Sequence, residues 1–203
     1  MDRGRSCAGR IDRPDHGGRF VLYQANMDNS ILSELQWDAD GGALIFKGVR
    51  YLLIRPETLV QFQKAVEAEV GAEYAGELLY AGGFTGGQLS GKRYQEAFGF
   101  TERQAVEFMC RMGGEIGWGR FEVKRLEIVD WRLEVEVHNS VFARAYRNQQ
   151  SAISDQQSAV CHLIRGVLGG LVAGLSDGQV RARETQCLAQ GDAHCRFEVE
   201  GIA

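Results

Sequence analysis

A chain of 203 residues, 44% hydrophobic and 25% charged, is long enough to bury one substantial core. Its net charge of −4, with both signs intermixed, leaves no electrostatic footprint for nucleic acid. Five widely spaced cysteines argue against a secreted disulfide framework, and the longest apolar run, residues 166–175, is too short to cross a bilayer, so a cytoplasmic protein without a membrane partner is expected.

Residues 1–19 carry Arg3, Arg5, Arg10, Arg13 and Arg19 among glycines and polar residues, and a disordered basic tail is expected there. This stretch also lacks the apolar segment of a signal peptide. Residues 20–42 form an N-terminal extension, in which SILSELQW predicts a short helix behind an Asn29 or Ser30 cap. Two β-prone runs, Ala43 to Phe46 and Val49 to Ile54, flank Lys47-Gly48 and predict a hairpin. Pro56 opens a helix where its missing N–H costs nothing; Leu59, Phe62, Val66 and Val70 form its apolar stripe, and Gly71 ends it.

A second helix is predicted over residues 72–97. Thr101-Glu-Arg-Gln104 is a capping box that opens a third, reaching about Met112. From Phe121 to Val137 the pattern alternates, predicting two strands with Asp130-Trp131 in the turn. Asn139 or Ser140 caps a short helix through Tyr146. A long helix is predicted from about Gln156 to Leu175, stopped by Ser176-Asp-Gly178, and two strands finish the chain. Helices preceding an antiparallel sheet make this an α+β protein, with the main unit spanning residues 43–203.

Gly86-Gly-Gln-Leu-Ser-Gly91-Lys92 imitates a phosphate loop but has Arg93 where a magnesium-binding hydroxyl is required, and it lies within a helical pattern. Its glycines suit close approach of another backbone or a ligand. Gly166, Gly170 and Gly174 recur every fourth residue on the last helix and make a smooth stripe for tight packing. No nucleophile–base pair, nucleophile elbow or dinucleotide fingerprint is present, which disfavours an enzyme.

The C-terminal RARETQCLAQGDAHCRFEVE places Cys187 and Cys195 on either side of a Gly191-Asp192 turn, between strand-like runs. Thiolates brought together by a hairpin suit zinc, which needs four ligands at a structural site. Cys161, at a helix N-terminus whose dipole favours a thiolate, is one further donor. Glu184 is another, but in a regular strand it faces away from Cys187, so the chain must bulge at Thr185-Gln186. With a regular strand, His162 or His194 takes its place.

These residues and their order resemble the 4-vinyl reductase (4VR) domain family, whose phenol- and xylene-responsive activators carry a cysteine opening a Gly-rich helix. A Glu-x-x-Cys follows there, then seven residues and a last cysteine. The likeness extends upstream over GVRYLLIRPETLVQFQKAVEAEVGAEYAGELLYAGGFTGGQLSGKRY and FEVKRLEIVDWRLEVEVHNSVFARAY, covering roughly residues 43 to 200. The resemblance implies one structural zinc on Cys161, Glu184, Cys187 and Cys195, at a C-terminal zinc-binding hairpin beside a long Gly-rich helix. It also implies a homodimer and a hydrophobic pocket for a small hydrophobic or aromatic ligand between the helices and the sheet.

Phe84, Phe108, Met112, Trp118 and Phe142 are the aromatic and apolar candidates for that pocket, with His138 as its polar candidate. The family's phenol-binding histidine has no counterpart at Cys110 to Met112, the best-aligned positions. The expected function is a stand-alone sensor or carrier whose output passes to a separate protein partner. An accessory factor or reductase in tetrapyrrole synthesis is the alternative.

Overall fold

The computed structural model describes residues 29–149 and 159–202. The predicted basic tail, Cys7 and residues 20–28 lie outside the described residues. The chain is α+β, as expected, with six helices and two antiparallel sheets among the described residues. In order, the elements are α1 (Ser30–Glu34), β1 (Gln36–Asp38), β2 (Ala43–Phe46), β3 (Val49–Tyr51), α2 (Pro56–Val70), α3 (Ala72–Phe98) and α4 (Glu102–Glu115). They continue with β4 (Arg120–Glu127), β5 (Arg132–His138), α5 (Val141–Asn148), α6 (His162–Ser176), β6 (Gln179–Gln186) and β7 (Cys195–Ile202).

The larger sheet has the order β4-β5-β7-β6. Alternation along β5 and β7 puts Leu133, Val135, Val137, Cys195, Phe197 and Val199 on one buried face. α6 lies against β6 and β7, α4 against β4. α6 in turn packs along α3, and glycines on both helices make this contact: a Cβ on Gly83, Gly87, Gly91, Gly166, Gly170 or Gly174 would meet backbone of the facing helix closer than 3.0 Å. The stripe predicted for packing therefore meets a matching stripe on α3.

The capping box of α4 is present, with the Gln104 N–H donating to Thr101 Oγ1 at 3.3 Å and the Thr101 N–H to Gln104 Oε1 at 2.9 Å. Other expectations shift. The first helix stops at Glu34, and the next residues pair with β2 as β1, so the predicted hairpin is a three-stranded sheet. Leu52, Leu53 and Ile54 extend past β3 as exposed, unpaired chain. On α2 the buried residues are Val60 and Gln63, while Phe62 and Val70 are exposed. Gln63 donates to the Val160 carbonyl at 3.3 Å, which draws this face toward the start of α6. That helix begins at His162 with Cys161 as its cap, later than the predicted Gln156; residues 156–158 lie outside the described residues.

The described part of the N-terminal extension is tied to α4. Asn29 Nδ2 donates to the Glu115 carbonyl, and Ser30 Oγ and the Ile31 N–H both donate to Glu115 Oε2, each at 2.8 Å. No helix among the described residues is long and apolar enough to cross a membrane.

Candidate metal centre and ligand cavity

Cys161, Glu184, Cys187 and Cys195 come together where the head of α6 meets the β6–β7 connection, with one donor atom of each within 4.8 Å of the others. The bulge that Glu184 requires is present, since the β6–β7 register shifts between Glu184 and Gln186. Beyond β6, Cys187 leads into a 3₁₀ turn over Leu188–Gln190, closed by Gly191 at φ 101°. Asp192 holds this turn by accepting the Cys187 N–H at 2.7 Å. The Leu188 N–H points at Cys195 Sγ at 3.4 Å, and the Cys161 and Cys195 sulfurs are 3.7 Å apart. Buried Ser140, the cap of α5, sets its Oγ 3.5 Å from Cys161 Sγ.

The cluster does not neutralise itself. Cys187 is pulled far below the ordinary thiol value by hydrogen bonds from Cys161 and Cys195. Cys161 is held well above that value by its hydrogen bonds with Cys187 and Cys195, and by burial. Contact with Cys161 lowers Cys195, but its hydrogen bond to Cys187 and its burial together raise it more. Burial, then the Cys187 thiolate, push Glu184 up to about 9. Glu184 Oε2 accepts the Cys161 N–H at 2.8 Å, whereas buried Oε1 has no partner.

A borderline-soft cation fits this donor set. Four ligands around zinc with Zn–S near ~2.3 Å place sulfurs roughly 3.8 Å apart, close to the 3.7 Å observed, and the orphaned carboxylate oxygen supplies the fourth donor. Of the alternative donors, the His162 ring packs where a Cβ on Gly76 would stand, and His194 belongs to a group on the other face of the sheet.

An apolar cavity of about 450 Å³ opens beside this corner. Tyr51 and Leu59 form one side, Met109, Met112 and Gly113 of α4 the second, and Ile164 and Leu168 of α6 the third. Trp118 and Phe121 also line it, and Leu52 and Ile54 lie at the exposed margin. A neighbouring hollow of about 230 Å³ shares Val49, Tyr51 and Ser90 with it and extends toward Tyr94, Phe98 and Phe108. Polar groups are few. The Tyr51 and Tyr94 hydroxyls both point at the Met112 sulfur, at 3.8 and 3.7 Å.

Residues 133–201, from β5 to β7 and including all four clustered donors, match the family model of the 4-vinyl reductase domain, abbreviated 4VR above. This stretch is a 4-vinyl reductase domain. No curated protein matches the chain. Among solved structures, it is similar to the phenol-responsive sensory domain of the transcription activator PoxR, crystallised with phenol, at 19% identity and a TM-score of 0.74; the match covers 85% of this chain and 87% of that one. It is also similar to a trafficking protein particle complex subunit 3 from Naegleria fowleri, covalently bound to palmitic acid, at 12% identity and a TM-score of 0.53 over 73% of this chain and 95% of that one. A vinyl-4-reductase family protein from Methanocaldococcus jannaschii follows at 17% identity and a TM-score of 0.49, over 75% and 85%. At these identities the likenesses establish the fold.

The 4-vinyl reductase domain thus contributes the donor cluster and, through α6, one cavity wall, while α4, β3 and Trp118 supply the others from upstream. Of the residues expected in the pocket, Met112 and Trp118 line it. Phe142 of the 4-vinyl reductase domain stacks edge-on against Trp118 at 5.3 Å between ring centroids. Phe108 lines the neighbouring hollow. Phe84 lies against Gly169 of α6. His138 projects from the opposite face of the sheet, because it shares the parity of Glu134 and Glu136 rather than that of Val135 and Val137. Sequence reasoning passed over Tyr51, Asp192 and Ser140. Tyr51 was legible as a strand-end aromatic, whereas the other two gain their roles from partners that only the fold supplies.

Proposed function

We propose that this chain is a sensor or carrier module that binds a small hydrophobic or aromatic molecule in the cavity between β3, α4 and α6. The observation that carries this reading is the cavity itself: about 450 Å³, walled by Leu, Ile, Met and aromatic side chains, with Tyr51 as a polar group on its wall. Similarity of fold to a domain crystallised with phenol supports it. The Tyr51 hydroxyl meets only a thioether acceptor, so a ligand oxygen that displaces the sulfur gains a better hydrogen bond. An aromatic molecule bearing one oxygen is the class that this wall suits.

Calorimetry with phenol and toluene tests the reading. Both are expected to bind, and Trp118→Ala to weaken both. Tyr51→Phe should weaken phenol by roughly tenfold, the worth of one hydrogen bond of about 1–1.5 kcal/mol, and leave toluene unchanged. No binding of either probe to the wild-type protein overturns the proposal.

We further propose that Cys161, Glu184, Cys187 and Cys195 hold one structural zinc. Bound there, the metal supplies cross-linking, and the residues fix the head of α6 to the β6–β7 connection. The protonation of the cluster gives this a pH signature. Cys161, Cys195 and Glu184 hold their protons at neutral pH, with Glu184 raised to about 9, and each must lose its proton to become a ligand. Zinc uptake should therefore release up to about three protons, and affinity should rise as pH rises toward 9 and fall on acidification. Titration in buffers of different ionisation enthalpy reads this directly. Uptake without proton release would remove these groups from the ligand set.

A further inference from the structure

We propose that the outer face of the four-stranded sheet carries a second metal site, in which the imidazoles of His138 and His194 and the carboxylate of Glu136 bind a divalent transition cation. The site is separate from both the buried cysteine cluster and the cavity, and it does not depend on either having the role proposed above.

Strand geometry assembles it. Glu136 and His138 are two residues apart on β5 and share its outward face. The pairing of Val137 with Cys195 brings His194 beside His138, their ring centroids 5.0 Å apart. Glu136 sits between the two rings. Its Oε2 is 3.5 Å from His138 Nε2 and its Oε1 is 3.4 Å from His194 Nε2. One donor atom from each residue lies within 4.8 Å of the other two.

These separations suit a shared ion. Nitrogen and oxygen ligands at about 2.0–2.1 Å from a tetrahedral metal stand roughly 3.3–3.4 Å from each other. Both Nε2 atoms are cut off from solvent and lack a hydrogen-bond partner. A buried imidazole nitrogen with no partner carries an energetic cost that coordination removes.

Glu122 Oε2, 3.6 Å from His138 Nε2, is within range as a further oxygen donor. Lys124 Nζ lies 3.1 Å from Glu136 Oε2 and 2.8 Å from Glu122 Oε2, and an Arg196 nitrogen lies 3.9 Å from Glu136 Oε1. Those cations compete with the metal for the carboxylates, so this site should bind more weakly than the buried one. The two histidine side chains remain 28% and 20% exposed, which leaves room for water ligands and for exchange. Two imidazoles and a carboxylate favour copper(II), nickel and zinc over magnesium or calcium.

The test uses the full chain, with its metal content as purified measured first. Equilibrium dialysis against Ni²⁺ should add one further equivalent to the wild-type protein. His138→Gln and His194→Gln should each weaken that equivalent at least tenfold, and Glu136→Gln should weaken it less. The metal retained from purification should stay unchanged in all three. Circular dichroism melting confirms that the variants remain folded, as expected for changes on an outer face. No additional equivalent in the wild type, or one that survives the double His138→Gln/His194→Gln substitution, overturns the proposal.

Discussion

Cys195→Ser is expected to yield protein without zinc and without a cooperative thermal transition. The sulfur lies at the centre of a buried set, 3.7 Å from Cys161 Sγ and accepting the Leu188 N–H at 3.4 Å. Losing one thiolate from a structural site forfeits much of the binding free energy, which for small zinc domains is about 10–16 kcal/mol. That is as large as the whole stability of an ordinary domain, about 5–15 kcal/mol. Glu184→Gln should be milder, because an amide oxygen remains and no carboxylate is left uncompensated. Cys110→Ser should leave metal content untouched, because Cys110 lies on α4 outside the cluster. Elemental analysis together with a melting curve decides the matter. A Cys195→Ser protein that melts like the wild type, or wild-type protein that is folded and free of zinc, would sink the structural-zinc proposal.

Gly170→Ala is expected to be the most damaging single-methyl change in the molecule, whereas Gly82→Ala should stabilise it. A Cβ at Gly170 runs into the backbone of Phe84 on the facing helix, and backbone cannot rotate out of the way. Overpacking of this kind costs about 1–3 kcal/mol and more where no side chain can yield. For a chain of this size that corresponds to a loss of roughly 4–12 °C in melting temperature. Gly82 also lies within α3, but a Cβ there meets nothing within 4 Å. Only helix propensity acts at that position, worth up to about 1 kcal/mol in favour of alanine. Thermal melts of the two variants should move in opposite directions. A shift of the same sign in both would mean that the α3–α6 contact is looser than its geometry states.

Local chemistry was legible in the sequence wherever one or two neighbouring residues settle it. The Thr101–Gln104 box, the glycine stripe and the bulge demanded by Glu184 and Cys187 are cases of this kind. Elements that depend on distant partners were not. β1 has no buried residue and no alternation to announce it; it exists because β2 offers a free edge. Leu52, Leu53 and Ile54 have strand-like composition but no partner beyond Tyr51. For α2 the apolar residues gave the wrong face. Gln63 is buried there because Val160 presents a carbonyl to it, and Phe62 is left outside. The face of His138 follows from simple parity with Val135 and Val137, and its strand-end position obscured that.

The contact between α3 and α6 also determines which parts of the molecule can respond to a ligand. Where main chain touches main chain, there are no rotamers to exchange and no gap to close, so the two helices behave as one stiff beam. Ile164 and Leu168 belong to that beam and form a fixed side of the cavity. The opposite side is built from β3 and the exposed Leu52–Ile54 chain, which has no strand partner to restrain it. Occupancy of the cavity is therefore transmitted outward through this thin N-terminal wall, and a downstream protein that reads the bound state must read it there.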